Sequence, residues 1–561
     1  MAQNATVGMT PSGQPIIILK EGTSQTKGRE AQKNNIMAAK VISEIVRSSL
    51  GPRGMDKMLV DSMGDVTITN DGATILKEID VQHPAAKMMV ELSKTADTEV
   101  GDGTTSVVIL AGSLIEKAEE LIEKEVHPTI VVDGYKKAAI QAMKILENIS
   151  IKIPPGDKVW LNKVAKTSMA SKLIWRESDL LSNIVTDAVL AIADNNNGKY
   201  TVDIDDIKVE KKAGESLKDT KLIQGIVLDK EVVHAGMPKK IKNAKIALVA
   251  AALEIEKTEF DAKINITNPD QIKAFLDQES NMLKDMADKI ESTGANVLVC
   301  QKGIDDTAQH YLAKAGILSV RRVKQSDMEK LGRATGARIV SNLDDLTKTD
   351  LGFSLIVEER KIEEDIWVFI EGCKNPKSVT ILIRGGTQRV VDEADRSIHD
   401  SLMVVKDVLV KPSIVVGGGA PEAELSMQLK NYANKLGGRE QLAVQKFAEA
   451  LEIIPLTLAE NAGLDPIDTQ VQLGSAHGQG NKWYGVDVHK GKVADCAKLG
   501  IYEPTIVKEQ IIKAATETAG MILRIDDVVA AAKSAGPPPG AGGEGGMPPG
   551  MGGMPPGMMG M

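Results

Sequence analysis

Five residues, Gly101-Asp102-Gly103-Thr104-Thr105, stand between two amphipathic runs and hold the ingredients of an anion site. Two glycines let the backbone turn tightly and expose its N–H groups, and the threonines fall where the second helix begins. Its unpaired N–H donors, its hydroxyls and the positive end of its dipole then face one way. Asp102 would repel a phosphate unless it holds a divalent cation, most naturally Mg²⁺, between itself and the phosphate oxygens. A polar interhelical turn with a capping Thr explains the same five residues. A second acid, Asp71, sits on another tight turn, Asn70-Asp71-Gly72, which ordinary turn chemistry also accounts for. Two further glycine-bearing joints stand out. Gly51-Pro52 ends a helix, and Gly417-Gly418-Gly419 opens a strand into a helix, where a ligand or another chain could approach the backbone.

The elements that must carry these residues follow from periodicity. Helices are expected over 29–49, 85–100, 106–126, 128–148, 388–408, 440–462 and 505–524, with a helix-like run at 161–172. In the first of these Met37, Val41 and Ile45 repeat every four residues, with Ile42 and Val46 alongside. Short strands are expected at 15–19, 66–69, 201–204, 207–210, 222–228, 246–250, 297–299, 379–383 and 414–416, and a short β excursion at 482–488 and 491–495. The polar side of 388–408 carries Asp392, Asp395, His399 and Asp400. Residues 254–261 and 267–289 are charged and helical, with few apolar positions. They form either a solvated surface helix or an excursion that meets a partner. The strand at 15–19 belongs to an arm that pairs with something else. Residues 536–561 are Gly, Pro and Met around one acid, too little apolar surface to order.

A length of 561 residues predicts three or four domains. Aromatics make up only 3%, so the core rests on Ile, Val, Leu, Ala and Met, and stacking on single-stranded nucleic acid is disfavoured. The net charge of −9 argues the same way, so no nucleic-acid partner is expected. Cys300, Cys373 and Cys496 are far apart with no CxxC, as in reduced cytoplasmic proteins. No run has the length of a membrane span and no signal pattern opens the chain. No GxxxxGK[ST] motif occurs, which disfavours a P-loop kinase or ATPase, and no HExxH supports a metal hydrolase.

Helical segments at both ends around a mixed insert imply a chain that goes out and comes back. With GPRGMDKML (51–59), TITNDGATIL (67–76), HPAAKMMVE (83–91), GDGTT (101–105), RSIHDSL (396–402) and VVGGGAPE (415–422), nearly the whole sequence resembles a group II chaperonin of the archaeal thermosome class. The resemblance implies a multi-domain α+β fold. A mostly helical equatorial domain would come from both termini (1–153 and 410–535), and a small two-piece α/β intermediate domain from 154–221 and 376–409. An inserted α/β apical domain (222–375) would carry a helical lid protrusion at about 254–289, with a Gly/Pro/Met tail at 536–561.

It further implies an Mg²⁺-dependent ATPase coupled to protein folding, with K⁺ as a further candidate ion. Leu50, Gly51, Pro52, Asn70, Gly72, Gly103, Thr104, Thr105, Ser106, Gly418 and Gly419 would line the nucleotide, and Trp483-Tyr484-Gly485 would border the adenine. Glu503 would meet the ribose and Lys172 would sense the γ-phosphate. Asp102 would be the metal ligand, and Asp71 and Asp400 the acids that handle the attacking water. Partners would be a homo- or hetero-oligomeric double ring of about eight or nine subunits per ring, and non-native protein clients. An assembly protein that uses nucleotide only to govern its ring or filament state is the alternative.

Overall fold

In the computed structural model the described residues are 5–9, 15–19, 24–61, 63–196, 198–255, 269–374 and 376–530. The chain divides into two compact units, residues 1–34 with 525–561, and residues 35–524. In the first, strand Pro15–Leu19 pairs antiparallel with Ala5–Met9, Ala5 opposite Leu19. The arm strand therefore finds its partner within its own segment. Strand Ser24–Lys27 pairs with Asp527–Ala530.

The second unit holds several hydrophobic cores, which follow the out-and-back order of the chain. One is mostly helical and draws on both ends. Helices Pro84–Val100, Thr104–Glu123 and Pro128–Ile149 pack with Arg439–Leu451 and Thr505–Leu523. Its aliphatic filling surrounds one aromatic contact, Tyr135 edge-on to Phe447 with centroids 5.5 Å apart, and the Tyr135 hydroxyl donates to the Leu114 carbonyl. A second core joins residues 153–207 to 379–420. Helices Lys158–Met169, Ser178–Ile192 and Gln388–Val410 cover a three-stranded sheet, Ile207–Ala213, Val379–Gly385 and Lys221–Ile223. The middle of the chain forms a seven-stranded mixed sheet in the order Gly225–Leu228, Asp365–Glu371, Gly352–Ile362, Lys240–Val249, Val297–Cys300, Leu318–Val320, with Ile339–Val340 also on Lys240–Val249. Ile246 and Leu248 point to one face, and Ala247 and Val249 to the other. Both faces are covered there, so the strand is apolar over 246–249, whereas Lys240, Lys242, Asn243 and Lys245 lie in its more exposed first half.

Several sequence expectations change. On helix Gly28–Arg47 the buried stripe is Ile36, Ala39, Ile42 and Val46, so the expected Ile42 and Val46 are buried while Met37 and Val41, on the neighbouring face, are exposed. The strand expected at 201–204 is Lys199–Thr201 followed by a 3₁₀ turn. The helix expected at 440–462 is two, Arg439–Leu451 and Ile453–Asn461, which meet at Glu452 three residues before Pro455. Helix Pro466–Gly478 had no expectation attached. Glu254 and Ile255 are not helical, and a helix runs from Pro269 to Ser292. The rest of the expected excursion, 256–268, lies outside the described residues, as does the tail at 536–561.

The run 222–228 is not one strand but two, in different sheets. Lys221–Ile223 pairs with Val379–Gly385, and Gly225–Leu228 pairs with Asp365–Glu371. The break is Gly225, with φ of 149° and no room for a side chain, since a Cβ would lie 1.9 Å from the Ile370 carbonyl oxygen. Gly225→Ala should therefore cost at least about 1–3 kcal/mol through backbone strain, read as a lower first unfolding transition by calorimetry.

Candidate functional site

The glycine turn 101–103 is fixed by what crowds it. Gly101 (φ 63°) ends helix Pro84–Val100, its N–H donating to the carbonyls of Ala96 and Asp97, and a Cβ there would strike the Met403 side chain. Gly103 (φ 76°) lies against Ile511 and Val507. Gly72 lies against Thr105, whose Oγ1 would be 2.6 Å from an added Cβ. Three segments distant in sequence, 70–72, 388–410 and 505–523, thus close on one loop. Gly103 caps helix Thr104–Glu123 without a side chain, leaving the first-turn N–H groups of Thr104, Thr105 and Ser106 outside the helical ladder. Helix Ala420–Ala433 starts in the same manner on Gly419 (φ 79°).

The acids meet around one cation. Asp71, Asp400 and Lys172 are each at least nine-tenths buried. Lys172 Nζ is 3.1 Å from Asp400 Oδ2 and 4.0 Å from Asp71 Oδ1. Asp71 is also the N-cap of helix Gly72–Glu78: Oδ2 accepts from the Thr74 N–H and hydroxyl, and Oδ1 from the Thr104 hydroxyl at 2.9 Å. The turn-chemistry reading of Asn-Asp-Gly is therefore correct, and the residue serves the cluster as well. Asn70 donates to the Ser171 carbonyl, next to Lys172. Asp102 Oδ1 accepts from the Gly103 N–H at 2.6 Å.

These contacts divide the carboxylates. Burial pushes Asp71 upward, but Lys172 and the bonds from Thr74 and Thr104 outweigh it and hold its carboxyl below the ordinary range. Burial raises Asp400 well above that range; Lys172 opposes the shift, and Asp71 and Asp102 add to it. Asp102 is raised by burial against the pull of Lys172 and the Gly103 N–H. Lys172 stays charged despite burial because Asp400, Asp71 and Asp102 surround it. Three carboxyl groups face one ammonium, and the upward shifts of Asp400 and Asp102 mark a site short of positive charge, which a divalent cation would supply. Asn70 Oδ1 and Asp407 Oδ2 are buried without a donor. Among the described residues no group of three or more His, Cys, Asp or Glu could hold a metal by itself. Mg²⁺ binds through one or two carboxylates plus substrate phosphates, and Asp102 beside the free first-turn N–H groups is a donor set of that kind. The residues fit the ion.

The other expected positions are set by helix Ile453–Asn461. Gly51 (φ 80°) packs on Leu458, the Asn461 amide donates to the Leu50 carbonyl at 2.9 Å, and Pro52 follows directly. Gly419 lies on Pro455, and the Gly418 carbonyl accepts from the Val486 N–H. Trp483 and Tyr484 lead into hairpin Tyr484–Asp487/Lys492–Asp495, whose Gly485 touches Gly418. Glu503, on the strand beside Ser413–Val416, pairs with Lys508. An open cleft of about 300 Å³ reaches Asp71 and Asp400 and is also lined by Thr74, Asp97, Asp395, Arg396 and His399. Sequence reading missed Asp97, Asp407 and Lys508. Asp407 was legible: it repeats Asp400 and Met403 at helical spacing, on the same face.

This is a multi-domain α+β protein with a buried lysine–carboxylate cluster between glycine-capped helices. Residues 42–533 match the TCP-1/cpn60 chaperonin family, and the chain belongs to it. It is 58% identical to thermosome subunit beta of Archaeoglobus fulgidus, over 96% of this chain and 99% of that one. It is equally identical to a thermosome subunit of Pyrococcus horikoshii over 93% and 95%. Identity is 56% to thermosome subunit beta of Sulfurisphaera tokodaii over 95% and 97%.

Burial lifts the Asp407 carboxyl to about 7; Lys406 opposes the shift and Asp102 adds to it. A carboxyl raised on folding stabilises the protein below its unfolded value, and that stability is lost as pH rises through the folded one. Asp407→Asn should thus raise the unfolding temperature of the nucleotide-free protein above pH 7, with the gain shrinking to nothing below about pH 4. A pH series of melting curves reads it directly.

Proposed function

We propose that this chain is an ATP-driven subunit of a thermosome-like chaperonin, and that the cluster around Lys172 is its hydrolytic site. One observation carries the reading: Asp71, Lys172 and Asp400, far apart in sequence, form one buried contact set beside the Gly101–Thr105 turn. Family membership supports it, as do the names of the relatives.

In this reading Asp102 would hold Mg²⁺. The N–H groups of Thr104, Thr105 and Ser106 and the Thr105 hydroxyl would take phosphate oxygens, with Gly72 allowing their close approach, and the Gly103 N–H and Thr104 hydroxyl would join them on leaving Asp102 and Asp71. Bound Mg²⁺ supplies charge neutralisation on the phosphates. Asp71, kept ionised, orients a water. Asp400, whose buried surroundings make its carboxylate the stronger base once ionised beside Lys172, would accept the proton of that water as it attacks. Lys172 keeps the two acids from repelling each other and releases Asp400 when phosphate takes its charge. Leu50–Pro52 and Gly418–Gly419 would flank the nucleotide, with Trp483-Tyr484-Gly485 at the base and Glu503 at the ribose. K⁺ would be a second, weaker ion.

Asp400 lies on helix Gln388–Val410, whose core is separate from the one beneath the Gly101–Thr105 turn. Hydrolysis would then depend on how the two cores are set against each other. That fits the layout with equatorial parts at 1–153 and 410–535, intermediate parts at 154–221 and 376–409, an apical insert at 222–375 with a lid at about 254–289, and a tail at 536–561. Such a subunit would act in the cytoplasm, in a ring that encloses non-native chains. Among the described residues no helix is long and apolar enough to cross a membrane.

Asp400→Ala should keep ATP affinity within a few-fold while turnover falls at least about 100-fold, measured by calorimetric binding and phosphate release. Loss of binding as well would remove Asp400 from the chemical step. Refolding of a denatured enzyme with and without ATP tests the folding role.

A further inference from the structure

Helix Thr505–Leu523 turns an apolar face inward with Val507, Ile511, Ile512 and Ala515 buried, and Lys508 is buried on that face among them. An unpaired ammonium there would be costly. Lys508 Nζ lies 2.8 Å from Glu422 Oε1 and 2.6 Å from Glu503 Oε2. The two acids come from opposite sides of the 417–419 glycine turn. Glu503 sits on strand Tyr502–Pro504, opposite Val415, and Glu422 lies in the first turn of helix Ala420–Ala433. Lys508 therefore ties the helix that leaves the turn to the strand paired with the one that enters it.

The cluster keeps more acceptors than its ammonium uses. Glu503 Oε1 is directed over Gly417, where an added Cβ would be 2.3 Å away, so only a glycine leaves room for that carboxylate. Glu422 Oε2 is buried with no donor. Two carboxylates against one ammonium also leave a negative charge in excess. Carboxylate oxygens in this state seek hydroxyl donors, and a vicinal diol is the donor pair that sugar-binding acids take. Glu503 is also only partly buried, so its side chain has somewhere else to go if the ammonium is lost.

We propose that Lys508, anchored by Glu422, is a positioning residue that holds Glu503 for the hydroxyls of the nucleotide sugar, and so makes the site select ribonucleotides over deoxyribonucleotides. This deepens the nucleotide reading above and rests on Glu503 meeting the ribose. Without Lys508, Glu503 and Glu422 repel each other, Glu503 turns toward solvent, and the diol loses its acceptor. The phosphate end keeps its own ligands.

The test uses the full-length assembled protein with Mg²⁺ and titrates ADP, 2′-deoxy-ADP and 3′-deoxy-ADP by calorimetry, so that no turnover intervenes. Wild type should prefer ADP over at least one deoxy analogue by about tenfold, the worth of a hydrogen bond to a charged acceptor. Lys508→Met should bring that ratio close to parity, mostly by weakening ADP, and Glu422→Gln should lower it partway. Lys508→Met combined with Glu503→Gln should discriminate no worse than Glu503→Gln alone. An unchanged ratio in Lys508→Met overturns the proposal, as do additive losses in the double variant. If Lys508→Met does not assemble, the near-isosteric Glu422→Gln decides, and an unchanged ratio there overturns the proposal. Equal ratios in wild type and Glu503→Gln would instead sink the ribose assignment, and absence of ADP binding would sink the nucleotide reading; either removes the proposal with it.

Discussion

A single buried ammonium, Lys172, holds the candidate site in its present form. Two carboxylates approach it, Asp400 and Asp71, and a third, Asp102, lies within its electrostatic reach. Without that charge the acids would be like-charged neighbours in a poorly solvated space. Removing one partner of such a buried set typically costs about 3–5 kcal/mol, because the others are left uncompensated. The cluster is also unequal by construction. Asp71 accepts three hydrogen bonds from Thr74 and Thr104, whereas Asp400 has the lysine alone among its described partners. Pairs of acids whose surroundings push them apart in this way are suited to different roles in proton transfer.

Backbone shape matters as much as charge. Gly51, Gly101, Gly103, Gly418 and Gly419 all have positive φ, and at each an added Cβ would run into a neighbouring helix or strand. The glycines do more than let the chain turn. They let separate elements come close enough for short side chains to meet, and they leave two helix N-termini without capping side chains. A larger residue at any of them would open the packing before it altered the chemistry.

The same economy appears in the buried charges the proposed hydrolysis does not use. Lys508 with Glu422 and Glu503, and His477 between Glu424 and the Tyr484 carbonyl, both tie helix Ala420–Ala433 to a neighbouring strand. His477 places one ring nitrogen against each of these two oxygens. Each tie crosses from the helix that starts at Gly419 to an element beside the glycine turn. The walls of the candidate pocket are thus held by ionic contacts, whose geometry is more directional than aliphatic packing.

Much of this was readable in the linear chain. Helix and strand texture follows from the spacing of Ile, Val, Leu and Ala. The turns follow from Gly, Pro and Asn-Asp-Gly, and the site residues from motif order. What could not be read there depends on neighbours. Periodicity places Met37 and Val41 in a stripe as readily as Ile36, Ala39 and Ile42, and only the packing of other helices decides which stripe is covered. A mostly apolar run such as 222–228 looks like one strand until Gly225 meets the Ile370 carbonyl and sends its halves to two sheets. Lys172 and Lys508 carry no local mark of their partners, because charge pairing acts through space. Local sequence therefore determined which groups were on hand, and tertiary contact decided which of them share a pocket and in what state of charge, since burial and Coulomb forces depend on distance in space and not along the chain.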